Sequence, residues 1–228
     1  MWGKYTYLLL DLITLSPILF LSFDKWVQFY KNWIPSLISI IIIGAIFVVW
    51  DVWFTNIGVW KFNYDYLIDV TFINLPLEEW MFFWVVPWVC VFISESLHTH
   101  FHKFIYKINF IPSLYILLAG ALVGLYFGKG IYTLVNFSLF LLVFALQFIF
   151  WDKQKLNLYA LTYLVHLLPF YIVNGVLTGE PIVIYNNAQN LGIRVGTIPI
   201  EDFLYSYNLI GLVFLLYFPL KKRFNPAA

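Results

Sequence analysis

The 228-residue chain is 62% hydrophobic and 11% charged, with a mean hydropathy of +0.84 and a formal net charge of +1. A soluble domain carries roughly 25% charged residues to solvate its surface, so this composition excludes an ordinary water-soluble protein. The net charge gives no indication of nucleic acid, and no basic run exists to bind it.

Seven apolar runs approach the roughly 20 residues needed to cross a roughly 30 Å hydrocarbon core. They cover residues 3–23, 33–53, 77–97, 110–128, 131–150, 157–177 and 199–219. The expected fold is therefore an all-α integral membrane protein of about seven transmembrane helices. Asp11 in the first run, and the lack of a small-residue cleavage site after it, argue against a cleaved signal peptide. The third run carries Trp80, Phe82, Phe83, Trp84, Trp88 and Phe92. They serve either as lipid-facing bulk or as the lining of a cavity for a long apolar substrate or a cation. Pro87 is expected to kink this helix. The single cysteine, Cys90, also lies here, which rules out a disulfide or a cysteine-based metal site within one chain. His98, His100 and His102 follow near Glu95, as polar interface residues or as one isolated histidine box. Gly128 and Gly130 divide the fourth and fifth runs. His166 lies within the sixth, where a helix-packing hydrogen bond and a proton relay are both open. Arg194, before the seventh, is either a surface residue or a counter-charge to a carboxylate.

Seven crossings place the termini on opposite sides. One set of loops holds nine basic residues, Lys25, Lys31, Lys103, Lys107, Lys153, Lys155, Lys221, Lys222 and Arg223. The other holds four, Lys4, Lys61, Lys129 and Arg194. The positive-inside rule then puts the N-terminus outside and the C-terminus in the cytoplasm of a multi-pass cell-membrane protein.

A shift of 123 residues superposes the two halves without a gap. Asp51 falls on Asn174 and Thr55 on Thr178, each pair reading Asp/Asn-x-x-x-Thr at the end of a run. Phe62-Asn63 falls on Tyr185-Asn186. Leu75-Pro76-Leu77-Glu78-Glu79 falls on Ile198-Pro199-Ile200-Glu201-Asp202. A looser match pairs Phe23-Asp24-Lys25 with Trp151-Asp152-Lys153. The repeat unit is three helices, and the fourth helix connects two parallel copies, an arrangement whose sites lie at the interface of the copies. The chain is expected to divide into 1–97, a connector 98–130, and 131–228.

The repeated Pro-x-Glu-Glu/Asp motif has a local reading, since proline is tolerated in a first helical turn and acidic groups there favour the helix dipole. Capping accounts for either copy alone, but less well for consecutive carboxylates at the same side twice. Glu78, Glu79, Glu201 and Asp202 are expected at similar depth near the pseudo-twofold axis. Ionisable groups at membrane depth are costly and mark functional sites. A protonated and an ionised carboxyl together form a general acid and a general base.

The strings Trp50-Asp51-x-Trp53-Phe54-Thr55, Gly58-Val59-Trp60-x-Phe62-Asn63 and Leu75-Pro76-Leu77-Glu78-Glu79 resemble the membrane-integral lycopene cyclase family. Its members occur as two small subunits, as a fused chain, or as a domain joined to phytoene synthase. Asn174-Gly175-x-Leu177-Thr178-Gly179 and Ile198-Pro199-Ile200-Glu201-Asp202-Phe203 look like the second subunit, and Phe23-Asp24-Lys25 with Phe29-Tyr30-Lys31-x-Trp33 like the first. The resemblance implies redox-neutral cyclisation of a linear, lycopene-like carotenoid end group to a β-type ring in the bilayer. It implies catalysis at Glu78, Glu79, Glu201 and Asp202, one carboxyl protonating the terminal alkene and another removing a proton. Asp51, Thr55, Trp60, Asn63, Asn174, Thr178 and Asn186 are the implied substrate-binding or supporting residues. No metal and no cofactor is implied, and other carotenoid-pathway enzymes are conceivable partners. The second copy lacks a counterpart to Trp60, so unequal halves that process one end group at a time are expected. C50 carotenoid cyclases, ε- or γ-ring formers and end-group hydratases are close alternatives.

Other classes fit less well. A retinal photoreceptor needs a lysine midway along the last helix, and Lys221 and Lys222 lie beyond it. Asp65-x-x-x-Asp69 has the spacing of a magnesium-diphosphate motif but lies in a loop with no upstream Asn-Asp partner. No Gly-x-Gly-x-x-Gly follows a strand, against the flavin-dependent soluble cyclases. A transporter would show more glycine-interrupted spans. A non-catalytic carotenoid-binding or transport protein would leave nearly the same sequence.

Overall fold

The computed structural model describes residues 3–225. Seven helices run in order: α1 (Thr6–Leu21), α2 (Trp33–Asn56), α3 (Leu77–Lys107), α4 (Ile111–Phe127), α5 (Ile131–Phe150), α6 (Lys153–Gly179) and α7 (Ile200–Phe224). In hydrocarbon every peptide group must find its partner within its own segment, which leaves the helix as the conformation open to these apolar runs. Six are long and apolar enough to span a membrane, α1 being counted with the 3-10 turn Gly3–Tyr5 before it. The connector α4 is shorter, at 17 residues.

The helix ends depart from the apolar runs where polar residues carry the helix past the hydrocarbon. Helix α3 continues to Lys107, and its one non-helical residue is Phe101 (φ −123°, ψ 15°), while the backbone at Pro87 stays helical. Helix α6 starts at Lys153, because Asp152 accepts the Lys155 amide at 2.9 Å as an N-cap.

Between the second and third helices of each half lies a compact cap. The first holds β1 (Trp60–Phe62), a 3-10 turn (Tyr64–Tyr66), β2 (Thr71–Phe72) and β3 (Leu75–Pro76). The second repeats it as β4 (Val183–Tyr185), a turn (Asn187–Gln189), β5 (Arg194–Val195) and β6 (Ile198–Pro199). Strands β2 and β3 form a hairpin, as do β5 and β6. Strands β1 and β4 pair antiparallel with each other, Trp60 opposite Tyr185 and Phe62 opposite Val183. The pairing continues reciprocally, Asn63 N–H to the Ile182 carbonyl at 2.9 Å and Asn186 N–H to the Val59 carbonyl at 2.8 Å. The two repeats thus clasp each other at their pseudo-twofold axis.

Below the caps, α3 packs on α6 and α2 on α7 across the repeats, while α1 lies on α3 and α5 on α7 within them. The core includes Phe47, Phe54, Phe83, Phe140 and Phe214, all buried. The halves differ at one helix pair. Gly44 faces α3, where a β-carbon would meet the Phe83 carbonyl oxygen at an ordinary contact distance of 3.4 Å. Its counterpart in α6 is Leu167, and α6 reaches α7 through Tyr159 and Tyr163, whose hydroxyls donate to the carbonyls of Tyr207 (2.8 Å) and Phe203 (2.6 Å). At the membrane face away from the caps, Glu95 ties three helices together. It accepts from Lys221 (2.7 Å), Tyr217 (2.7 Å) and Asn32 (3.2 Å).

Candidate active site

The Pro-x-acidic motif opens α3 and α7. Pro76 and Pro199 are the residues just before each helix, both extended, which turns the chain inward and puts two carboxyls into the first turn. All four are buried: Glu78 and Glu201 fully, Glu79 at 8% exposure and Asp202 at 4%.

The two positions of the motif have different surroundings. Glu78 Oε1 accepts the Ile68 amide at 2.8 Å, and Glu201 Oε1 accepts the Leu191 amide at 2.7 Å, the same bond one repeat later. Thr133 adds a second donor to Glu201 at 2.6 Å. These carboxyls pin the cap loops to the helices. Glu79 and Asp202 instead face one shared cavity of about 60 Å³ beneath the β1–β4 pair. Each takes a hydrogen bond from the tyrosine at the start of its own repeat, Tyr7 to Glu79 at 2.7 Å and Tyr132 to Asp202 at 2.6 Å. Glu79 and Asp202 lie within electrostatic reach of each other.

The polar neighbourhoods then diverge. Asp202 receives two further bonds, from Asn174 at 3.0 Å and from the Tyr185 hydroxyl at 2.8 Å. For Glu79 the second oxygen takes no protein hydrogen bond among the described residues. Around it stand more acids. Asp51, the counterpart of Asn174, is buried and interacts electrostatically with Glu79. Asp11 does the same from α1, and its counterpart in α5 is Asn136, which donates to the Glu201 carbonyl at 2.7 Å. Asp51 and Asp11 each keep one oxygen without a partner among the described residues.

Aromatic rings close the cavity. Trp60 and Tyr185 meet edge to face at 5.9 Å, Tyr132 stacks near Tyr185 at 6.1 Å, and Tyr205 lies 6.3 Å from Trp60. Burial, reinforced by the charge of Asp202, holds the Tyr185 phenol well above the usual tyrosine range. On the first-repeat side Phe47, Trp50 and Phe54 fill the space, with Phe47 and Trp50 both about 5 Å from Tyr205. A smaller void of about 30 Å³ between α1, α3 and α6 shares Phe82, Val86, Phe170 and Asn174 with the cavity.

Of the residues singled out in the sequence, Glu79, Asp202, Trp60 and Asn174 line the cavity, as do Phe82 of the aromatic run and Phe62 and Tyr185 of the repeat. The others stand behind it. Asp51 accepts the Trp60 indole at 2.5 Å and Thr55 at 3.5 Å. Asn63 and Asn186 cap the two 3-10 turns, accepting from the amides of Asp65 and Ala188 at 3.1 Å. Thr178 joins Thr197 at 2.7 Å and donates to the Asn174 carbonyl. Arg194 bonds the Thr197 carbonyl and Asn187, and pairs with no carboxylate among the described residues. His166 packs between Tyr163 and Phe170 beside the smaller void.

Tyr7, Tyr132 and Tyr205 have no place in the sequence reading, where Asp11 speaks only against a signal peptide and Tyr185 only for the repeat. The signal was present: Tyr7-x-Leu9-Leu10-Asp11 matches Tyr132-x-Leu134-Val135-Asn136 under a shift of 125 residues (Tyr7 to Tyr132). An ungapped shift of 123 passes over it.

Comparison with known proteins agrees with this geometry. The family model described as lycopene cyclase matches residues 4–97 and 129–220, one stretch per repeat. The chain belongs to the lycopene cyclase family. It has the fused, two-repeat form, and a carboxyl of each half faces its shared cavity. No curated protein matches, and no solved structure matches. Family membership makes the chain a carotenoid cyclase at family level, with a carotenoid as its class of substrate.

Proposed function

We propose that the protein closes linear carotenoid ψ-end groups into β-type rings by redox-neutral proton transfer, with Glu79 as acid and Asp202 as base. The observation that carries this reading is the shared cavity, which presents two carboxyls with opposite surroundings. Asp202 accepts three hydrogen bonds, which favour its ionised form. Glu79 is ringed by Asp11, Asp51 and Glu78, where added negative charge is costly, so it is the member that keeps the proton.

The chemistry balances without a redox partner. The Glu79 proton adds to the terminal alkene and leaves a tertiary cation. The neighbouring alkene attacks that cation and closes a six-membered ring, moving the charge onto the ring. Asp202 then takes the ring proton whose loss sets the final double bond. One proton enters and one leaves, so product and substrate are isomers. The faces of Trp60, Tyr132 and Tyr205 stabilise the cation by about 2 kcal/mol for a desolvated contact.

A polyene threaded between α1, α3 and α6 would bring one end group at a time to the two carboxyls. Glu78, Glu201, Thr55, Asn63, Thr178 and Asn186 support the site without touching substrate. The chain acts as two units, 1–97 and 131–228, joined by 98–130. The lysine asymmetry sets the caps on the outer side and the C-terminus in the cytoplasm.

Expression in a lycopene-accumulating bacterial host tests the reading. Wild-type protein yields cyclised carotenoid of unchanged mass, and Glu79→Gln or Asp202→Asn at equal membrane abundance abolishes it. A product heavier by one water would make the protein a hydratase, and unchanged lycopene would remove the activity proposed.

A further inference from the structure

A large cavity lies at the membrane face away from the carboxyls and takes no part in the chemistry above. It measures about 1220 Å³ and opens between the last turns of α3, α5 and α7 and the first turn of α6. Its mouth is basic. Lys107, Lys153, Lys155, Lys221 and Lys222 line it, with His98 and His102. The two acids at the same cavity are already matched, Glu95 by Lys221 at 2.7 Å and Asp152 by Lys155 at 3.0 Å. Lys107, Lys153 and Lys222 make no ion pair among the described residues.

The depth is apolar. Ile43, Leu146 and Leu212 form inner wall. Leu212 and Lys222 are ten residues apart on α7, about 15 Å at 1.5 Å per residue, or half the hydrocarbon core. A carotenoid hydrocarbon has no charge to offer three lysines. A soluble anion has no use for a wall that reaches the membrane midplane. Basic pockets between transmembrane helices are suited to the phosphate of an anionic lipid.

We propose that this cavity binds an anionic phospholipid, its phosphate held by Lys107, Lys153 and Lys222 and an acyl chain laid against Ile43, Leu146 and Leu212. The three lysines come from α3, α6 and α7, so the lipid staples helices of both repeats at the end opposite the β1–β4 clasp. A ligand that binds the folded state alone raises its stability by mass action.

The test uses the purified, delipidated full chain in detergent, with native mass spectrometry and thermal melting. Phosphatidylglycerol is expected to remain bound as one adduct and to raise the melting temperature, whereas phosphatidylcholine does neither. The Lys107→Gln/Lys153→Gln/Lys222→Gln variant is expected to lose about a hundredfold in affinity for phosphatidylglycerol, from about fivefold per lysine. The corresponding triple arginine variant keeps it. Equal retention of the two lipids by the wild type, which needs no variant to measure, would overturn the proposal. So would undiminished binding by the glutamine variant. Millimolar inorganic phosphate that stabilises the protein as well as phosphatidylglycerol does would make this a free-phosphate site and overturn the lipid reading.

Discussion

Asn174 donates its side-chain amide to Asp202 at 3.0 Å. At the same place in the first repeat stands Asp51, which has no hydrogen to offer Glu79 unless it is protonated itself. A second position repeats the contrast, Asp11 in α1 against Asn136 in α5. Two amides in one half and two acids in the other divide a symmetric scaffold into a proton-donating and a proton-accepting side.

The first prediction is that Asn174→Asp disables the base. It replaces a donor to Asp202 with a second acid and leaves the helix otherwise unchanged. A hydrogen bond to a charged group contributes about 1.5–3 kcal/mol, so turnover should fall roughly ten- to hundredfold. Because the loss falls on proton removal, kcat should drop with little change in KM, measured on lycopene in reconstituted membranes.

Tyr185 gives a prediction about pH. Its phenol is held well above the usual tyrosine range by burial and by Asp202, so the neutral, donating form persists to higher pH than a free tyrosine. Ionisation of Tyr185 therefore cannot produce an alkaline fall in activity at ordinary assay pH. Tyr185→Phe should lower the rate across the profile and leave the position of the alkaline limb unmoved. A limb that shifts in the variant would show that this phenol titrates within the working range.

Glu201 and Glu78 should behave as structural carboxyls. Glu201→Ala strands the buried Thr133 hydroxyl, at a cost of about 1–3 kcal/mol when unpaired, and the half-buried Leu191 amide as well. Glu78→Ala strands only the Ile68 amide. Melting in detergent should therefore rank Glu201→Ala below Glu78→Ala. Glu78→Gln, which still offers an acceptor, should retain most of the turnover that Glu79→Gln loses.

The hairpin tips provide a test of stability alone. Ile73 is β-branched yet has φ of +58°, while its counterpart in the second repeat is Gly196 at +65°. The left-handed conformation costs an L-residue about 1–2 kcal/mol, against about 0.5–1 kcal/mol for the extra chain freedom of glycine. Ile73→Gly should raise the melting temperature by roughly 1–3 °C for a chain of this size, with turnover unaltered. A fall in melting temperature would mean that the exposed Ile73 side chain makes membrane contacts worth more than the backbone strain.

Much of this arrangement is legible in the sequence because a membrane simplifies it. Hydrocarbon length sets the helices, and a polar residue kept within them stands out, so Asp51, Asn174 and the Pro-x-acidic motif marked the caps and the carboxyl-bearing helix starts. The separation of Glu79 and Asp202 from Glu78 and Glu201 was not legible. Consecutive residues in a first helical turn point about 100° apart, and which of them meets a loop amide depends on how Ile68 and Leu191 are brought over the helix. The tyrosines were hidden for another reason. Tyrosine is abundant at membrane interfaces, and Tyr185 reaches Asp202 only because β4 pairs with a strand of the other repeat. The polar tail of α3 beyond residue 97 was missed because hydropathy stops reporting helix once the chain leaves the lipid.

The measurement that bears most directly on the central claim is cyclisation in deuterated water. Purified protein in lycopene-loaded liposomes is equilibrated with D₂O, so that a carboxyl acting as the acid carries deuterium. The account predicts one deuterium for each ring closed, no other change in mass, and no incorporation with Glu79→Gln. A ring formed without deuterium, or a product differing from lycopene by water or by two hydrogens, would contradict it.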